Sequence, residues 1–241
     1  MFIQHRTLGF VLKKENRGEA DQFFWIYTKD YGKIVVLAKA IRKPGSKLRS
    51  AIDVFYFSEI EFIQGRAQKT LTDAFLVERL VGIRRDLQKL RLAYRFSRVL
   101  SQLIKNQEPD QRLWRLLESF FKSLDQEKLS FKTAVLFYYY FFWNLLKTLG
   151  YQPELYHCLF CRKKIVSFPI LFSWRDGGLI CYSCQKRVIS TFFQVRPETI
   201  KVLRLIFSQN WLTVRLIKTN TGLFNDLKIF SKKYFGSLSI P

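Results

Sequence analysis

All four cysteines of the chain fall into two C-x2-C pairs, Cys158 with Cys161 and Cys181 with Cys184, and nineteen residues, Arg162 to Ile180, lie between the pairs. Two residues between sulfurs let one tight turn aim both thiolates at one point, so two such turns supply the four ligands of a tetrahedral ion. The spacing predicts a zinc site. The connecting segment suits it: Ile170 to Trp174 reads as a strand, Asp176-Gly177-Gly178 as a turn, and Leu179-Ile180 as the returning arm of a short hairpin. Two disulfides would require an oxidising compartment, to which nothing else in the sequence points. Four thiolates leave no ligand position for water or substrate, so the predicted metal holds structure and performs no chemistry. Its charge of about −2 can be offset by Arg162, Lys163, Lys164, Lys186 and Arg187 beside the ligands. With four cysteines at hand, His157 is read as a flanking side chain and not as a ligand.

Forty-one Lys and Arg against nineteen Asp and Glu give a net charge of +22. That exceeds what solubility needs and predicts a polyanionic partner, either nucleic acid or an anionic membrane. The bases are clustered. Lys33, Lys39, Arg42, Lys43, Lys47 and Arg49 lie between Asp30 and Asp53 with no acid among them, and eight bases between Arg79 and Lys105 face only Asp86. The first residues lack the basic and then apolar order of a signal peptide, which predicts a cytosolic protein. The most apolar stretch, Ala134 to Trp143, is too short for a bilayer span and carries Tyr138, Tyr139 and Tyr140, so a buried helix is expected.

Short β-prone runs fill the first eighty residues: Thr7 to Lys13, Phe23 to Thr28, Ile34 to Ala38 and Val54 to Ile63, punctuated by turn signals at Asn16-Arg17-Gly18, Asp30-Tyr31-Gly32 and Pro44-Gly45. About five strands at this spacing suit a small barrel. Glu59 and Glu61 alternate with Ile60 and Phe62 and read as a solvated strand face, not as a catalytic pair. From Thr72 the apolar residues recur every three or four positions through Leu103, again from Leu113 to Phe120, and again from Ala134 to Leu149, which predicts amphipathic helices. Arg196-Pro197-Glu198 reads as a further helix start, and Phe224 to Phe235 as a closing helix. The expected fold class is α+β: a barrel domain at 1–80, a helical domain at 81–154 and 191–241, and a zinc-binding insertion at 155–190.

No glycine-rich phosphate loop, dinucleotide fingerprint or serine-hydrolase elbow occurs, only two histidines exist, and every cysteine is assigned to the metal. The sequence therefore points to a binding protein and not an enzyme. Basic, aromatic-rich small barrels bind single strands by stacking bases on exposed rings while cations follow the backbone. Phe23, Trp25, Tyr27, Phe55 and Tyr56 are the candidate rings, only some of which can face outward. The Lys39 to Arg49 loop, with Lys39, Arg42, Lys43, Lys47 and Arg49 around its Pro44-Gly45 turn, is the stronger candidate for phosphate contact, and Arg84, Arg85 and Arg91 form a second basic group.

These motifs, taken in order, resemble one family. Gly18-Glu19-Ala20-Asp21, then Tyr27 to Lys33, then Lys39-Ala40-Ile41-Arg42-Lys43-Pro44-Gly45-Ser46-Lys47-Leu48-Arg49 are similar to the OB-fold of the bacterial recombination mediator RecO. Leu149-Gly150-Tyr151-Gln152-Pro153-Glu154-Leu155 leading into the first cysteine pair, and Phe172-Ser173 with Gly177-Gly178 before the second, resemble that family's zinc region. The resemblance implies an N-terminal OB-fold barrel, a helical bundle and an inserted four-cysteine hairpin. It implies a DNA-repair factor that binds single- and double-stranded DNA, anneals complementary strands, and acts with RecR to load RecA onto DNA coated by single-strand-binding protein, whose acidic, apolar C-terminal tail the helical domain engages. It places Lys39, Arg42, Lys43, Lys47 and Arg49 on phosphate, in the cytoplasm at the nucleoid. A glycine often stands in that family where this chain has Ala40. The alternative is a zinc-ribbon RNA-binding protein of translation or transcription; a peripheral membrane protein and a nuclease with a dispersed site are further rivals.

Overall fold

The computed structural model describes residues 3–104, 108–165, 169–187 and 192–238. Lys105 and the side chain of Arg187 lie outside them. Two compact units form, one up to Leu129 and one from Ser130. That break falls within the stretch 81–154 that the sequence assigns to the helical domain.

In the first unit, β1 (Gln4–Arg17), β2 (Asp21–Thr28), β3 (Gly32–Ala38), β4 (Phe57–Gln64) and β5 (Lys69–Glu78) close a barrel in the order β1-β2-β3-β5-β4. β1 is long enough to serve two partners: Gln4 to Phe10 pair with β4, and Gly9 to Arg17 with β2. A parallel pairing of Val36 and Leu37 on β3 with Lys69 and Thr70 on β5 seals the barrel. Alternation drives the folding. Val11, Phe24, Ile26, Ile34, Val36, Ile60, Phe62 and Leu71 point inward and are almost fully buried, each contributing about 1.5–3 kcal/mol. A short helix, α1 (Leu48–Ala51), ends the basic stretch, carries Arg49 and packs Ala51 into the core.

Two sequence expectations need correction here. Residues 72–78 are strand, not helix. β5 slips register on β4 past Thr72, so Leu71 and Ala74 both reach the core although three residues apart, an interval that imitates helical spacing. The fourth strand begins at Phe57 and not at Val54. Residues 53–56 turn instead, with Tyr56 N–H donating to Asp53 O at 2.9 Å and Phe55 held at φ +62°.

Outward-facing residues of the barrel bury a second seam. Phe10 stacks on Phe57 (4.6 Å between ring centres) and on Phe121 (4.9 Å), and lies 5.4 Å from Trp114. Trp114 and Phe121 belong to α4 (Gln111–Gln126), which follows α2 (Val81–Arg85) and α3 (Leu87–Leu103). Phe96 of α3 stacks on Phe120 of α4 at 3.9 Å. Asp86 and Asp110 cap α3 and α4, each accepting from two backbone N–H groups. At the other end of α3, the Lys33 ammonium donates to Ser101 O (3.1 Å) and to Ile104 O, satisfying carbonyls that a helix terminus leaves open.

The second unit is built around α5 (Phe131–Thr148), whose Phe137, Phe141, Trp143, Leu145 and Leu146 are buried. Trp143 Nε1 donates to Ser231 Oγ at 3.1 Å, and its ring meets Phe207, Phe230 and Tyr234. The aromatic run is thus the core of this unit. Among the described residues, no helix is long and apolar enough to cross a membrane. A small sheet in the order β7-β6-β8 combines β6 (Ile170–Ser173), β7 (Gly178–Ile180) and β8 (Phe192–Val195). The helices α6 (Pro197–Ser208), α7 (Trp211–Val214) and α8 (Thr221–Ser237) complete it. The hairpin, the Pro197 helix start and the closing helix follow the sequence expectations, whereas β8 and α7 were not anticipated.

Candidate metal centre and nucleic-acid interface

The four cysteine sulfurs lie within 4.8 Å of one another, and Cys161 Sγ is 3.7 Å from Cys181 Sγ. A tetrahedron with metal–sulfur bonds of about 2.3 Å has edges near 3.8 Å, so the donor set fits a tetrahedral thiophilic ion. Local hydrogen bonds shape each turn. Cys158 N–H donates to Lys163 O (2.9 Å), Arg162 N–H to Cys158 O (3.0 Å), and Arg162 takes a left-handed φ of +58° to close the first knuckle. In the second, Cys184 N–H donates to Cys181 O at 3.0 Å as a 3-10 helix (Tyr182–Arg187) begins. The glycine pair of the hairpin has a distinct task at each position. Gly177 sits at φ +69°, and a Cβ on Gly178 would come within 2.7 Å of Cδ2 of Leu159, one of the two residues between the first pair of ligands.

Burial disfavours the Cys158 thiolate, but backbone N–H groups of Cys161, Cys181 and Phe160 outweigh it and hold the thiol down at about 6. Cys184 behaves oppositely. Its hydrogen bond with Cys181, followed by burial, pushes it up to about 12. One sulfur is thus prepared as an anion, while those of Cys181, raised by burial, and Cys184 resist ionising until a cation compensates them. His157 stays outside the cluster, 3.7 Å from Glu154, as a flanking residue should. Arg162, Lys163, Lys164 and Lys186 are exposed around the ligands.

On the barrel, main-chain hydrogen bonds fix the basic loop. Ala40 N–H donates to Asp21 Oδ1 (2.8 Å), Arg42 N–H to Ala20 O (2.9 Å) and Lys43 N–H to Ala40 O (3.1 Å), while Ile41 is buried as an anchor. Ala40 has φ +53°, the backbone conformation in which glycine carries no steric penalty. Lys39, Arg42, Lys43, Lys47 and Arg49 are all exposed, and among the described residues none forms an ion pair. The Arg42 guanidinium reaches back to Gly18 O (3.3 Å), which sets the loop against the β1–β2 turn.

The candidate rings separate by burial and not by strand face, since Phe23, Trp25 and Tyr27 alternate with the inward Phe24 and Ile26 of β2. Tyr27 and Phe55 are buried. Phe23 and Trp25 face outward, 6.2 Å apart and edge to face, with the Arg17 guanidinium 5.0 Å from Phe23 and the Lys13 ammonium 4.4 Å from Trp25. Tyr56 lies under Arg84 at 4.9 Å. All three arginines are exposed, but Arg84 is engaged within the protein, donating to Val54 O (2.8 Å) and Asp53 Oδ2 (3.0 Å), whereas Arg85 and Arg91 form no ion pair among the described residues. Sequence reasoning missed Lys13 and Arg17 as companions of the rings. The Asn16-Arg17-Gly18 turn signal held that information, because it fixes the hairpin register that pairs Lys13 with Trp25.

Comparison with known proteins agrees with this architecture. The family model "Recombination protein O N terminal" matches residues 1–79, and "Recombination protein O C terminal" matches residues 84–235. A protein named DNA repair protein RecO from Dehalococcoides mccartyi is 30% identical over 227 residues, covering 93% of this chain and 86% of that protein. Its namesake from Acetivibrio thermocellus is 30% identical (95% and 89% covered), and that from Alkaliphilus metalliredigens 26% (95% and 91% covered). The five-stranded barrel is thus the family's OB-fold, and the chain belongs to the RecO family of DNA repair and recombination proteins.

Proposed function

We propose that this chain is a non-enzymatic recombination mediator that binds single- and double-stranded DNA, anneals complementary strands and, with RecR, helps load RecA onto DNA coated by single-strand-binding protein. The observation that carries this reading is the stretch from Lys39 to Arg49, its backbone pinned and its five exposed cations free of ion pairs among the described residues, together with two outward rings on an OB barrel. Cations without countercharge on a fixed backbone meet phosphate without first breaking an ion pair, and every base offers a face to a ring whatever its identity. That combination suits a protein that must handle DNA of any sequence. The cysteine cluster holds Zn2+ in a structural role, because four thiolates complete a tetrahedral shell. The acidic tail of single-strand-binding protein is a partner of the helical domain, and the protein works at the nucleoid in the cytoplasm.

The test is annealing of complementary strands coated with the cognate single-strand-binding protein, in the absence of nucleotide. Annealing faster than with protein-free and basic-protein controls is expected. No acceleration, with DNA binding intact, would transfer the reading to the alternative of an RNA-binding zinc-ribbon protein, whose mark is preference for structured RNA at equal salt.

A further inference from the structure

Beyond the basic loop, the first unit carries a cleft whose cations are occupied by the protein itself. Asp53 sits between two of them: its Oδ1 accepts from the Lys14 ammonium (2.5 Å) and from Val54 N–H (2.7 Å), and its Oδ2 from Arg84 Nη2 (3.0 Å). The arrangement, one anion gripped by an ammonium and a guanidinium, is how a phosphodiester would be held. Lys14, Asp53, Phe55, Arg84, Leu90 and Tyr94 line a cavity of about 190 Å³ at this point. That is below the roughly 300–1,000 Å³ of sites for whole small molecules and suits a single ring with its phosphate.

The mouth of the cleft is equipped for a base. Tyr94 packs its edge on Phe55 at 4.7 Å yet remains 49% exposed. On α3, Arg91 and Arg98 lie three residues before and four after Tyr94, so both flank its ring on one helix face. Both are exposed, and neither forms an ion pair among the described residues. Beneath the ring, Phe55 is fully buried at φ +62°, a strained conformation for a non-glycine residue that fixes the turn carrying Asp53.

We propose that this cleft binds one nucleotide of a single strand, the base stacking on Tyr94 and the phosphate taking the place of the Asp53 carboxylate between Lys14 and Arg84. The inference rests on the DNA-binding reading above and adds a second contact region to the loop. Asp53 acts as a resident competitor: it keeps the two cations in position, and a strand must displace it. Arg84 can exchange its Nη2 partner while Nη1 keeps Val54 O.

The experiment measures binding of a fluorescent oligothymidylate against salt for the full chain and three variants. Asp53→Asn retains an acceptor for Val54 N–H but removes the competing charge. It is expected to bind more tightly at low salt, with a slope steeper by up to about 0.7, because no displaced carboxylate takes up a cation as the phosphate enters. Tyr94→Leu should weaken binding about five- to a hundredfold, as loss of a stacked base does, and Tyr94→Phe should restore it. A folded Asp53→Asn protein with unchanged slope, or a Tyr94→Leu protein of unchanged affinity, would overturn the cleft while leaving the DNA-binding reading standing. Failure of the unsubstituted chain to bind the oligonucleotide would overturn both.

Discussion

Replacing Arg42 and Lys43 with Gln should reduce the salt dependence of DNA binding by an amount that the structure sets in advance. Two bases that look equivalent in the sequence are already committed inside the protein, Lys33 to the carbonyl end of α3 and Arg84 to Asp53 and Val54. Among the described residues, the five cations from Lys39 to Arg49 form no ion pair. If each neutralises one phosphate of a single strand, the loop contributes about 3.5 to the slope of log K against log salt, at about 0.7 per contact. The double substitution should remove about 1.4 of it. Over a fourfold rise in salt, the variant's affinity should then fall about sevenfold less than that of the unsubstituted chain. Fluorescence anisotropy with a labelled single strand reads this directly. Stability should move little, because the loop is held by the main-chain bonds of Ala40, Arg42 and Lys43 and by buried Ile41, and only the long contact of Arg42 to Gly18 O is lost. An unchanged slope in a folded variant would refute the reasoning and move the phosphate contacts off the loop.

Three other outcomes are expected. Elemental analysis should find one zinc per chain, and Cys161→Ser or a strong chelator should lower the melting temperature of the second unit, with DNA binding affected less than stability; a folded, zinc-free protein of unchanged stability would show the cluster to be dispensable. Ala40→Gly should stabilise the first unit by about 0.5–1 kcal/mol in urea melts, since relief at φ +53° outweighs the extra chain entropy of glycine; destabilisation would contradict this balance. At Asp110, burial opposes the carboxylate, but the N–H groups of Leu113 and Arg112 and the Arg112 guanidinium prevail and hold it below the usual carboxylate range. Its contribution is therefore present above the unfolded value of about 3.9 and is lost as pH falls through the lower folded value. Asp110→Ala should cost about 1 kcal/mol at neutral pH and flatten the acid limb of a stability profile, and an unchanged limb would count against the cap.

How far the sequence discloses this molecule depends on whether a feature is set by near neighbours or by partners distant in the chain. The cysteine knuckles are local: two intervening residues, one turn and a glycine pair suffice, and the sulfurs meet as spacing predicts. The buried α5 was legible for a similar reason, because a run with too few polar positions for two faces must be enclosed. Residues 72–78 were misread because the bulge at Thr72 resets the alternation, and only pairing with β4 reveals it. The same dependence governs the candidate interface. Nothing near Arg84 in sequence distinguishes it from Arg85, yet Asp53, thirty-one residues earlier, pairs with one and not, among the described residues, with the other. Lys33 loses its freedom to a helix end near Ile104, again far along the chain. A count of bases therefore identifies the class of partner, while the cations able to meet it are selected by carboxylates and carbonyls that the fold brings from elsewhere. For that reason the substitutions at Arg42, Lys43 and Asp53 test the interface, whereas total charge cannot.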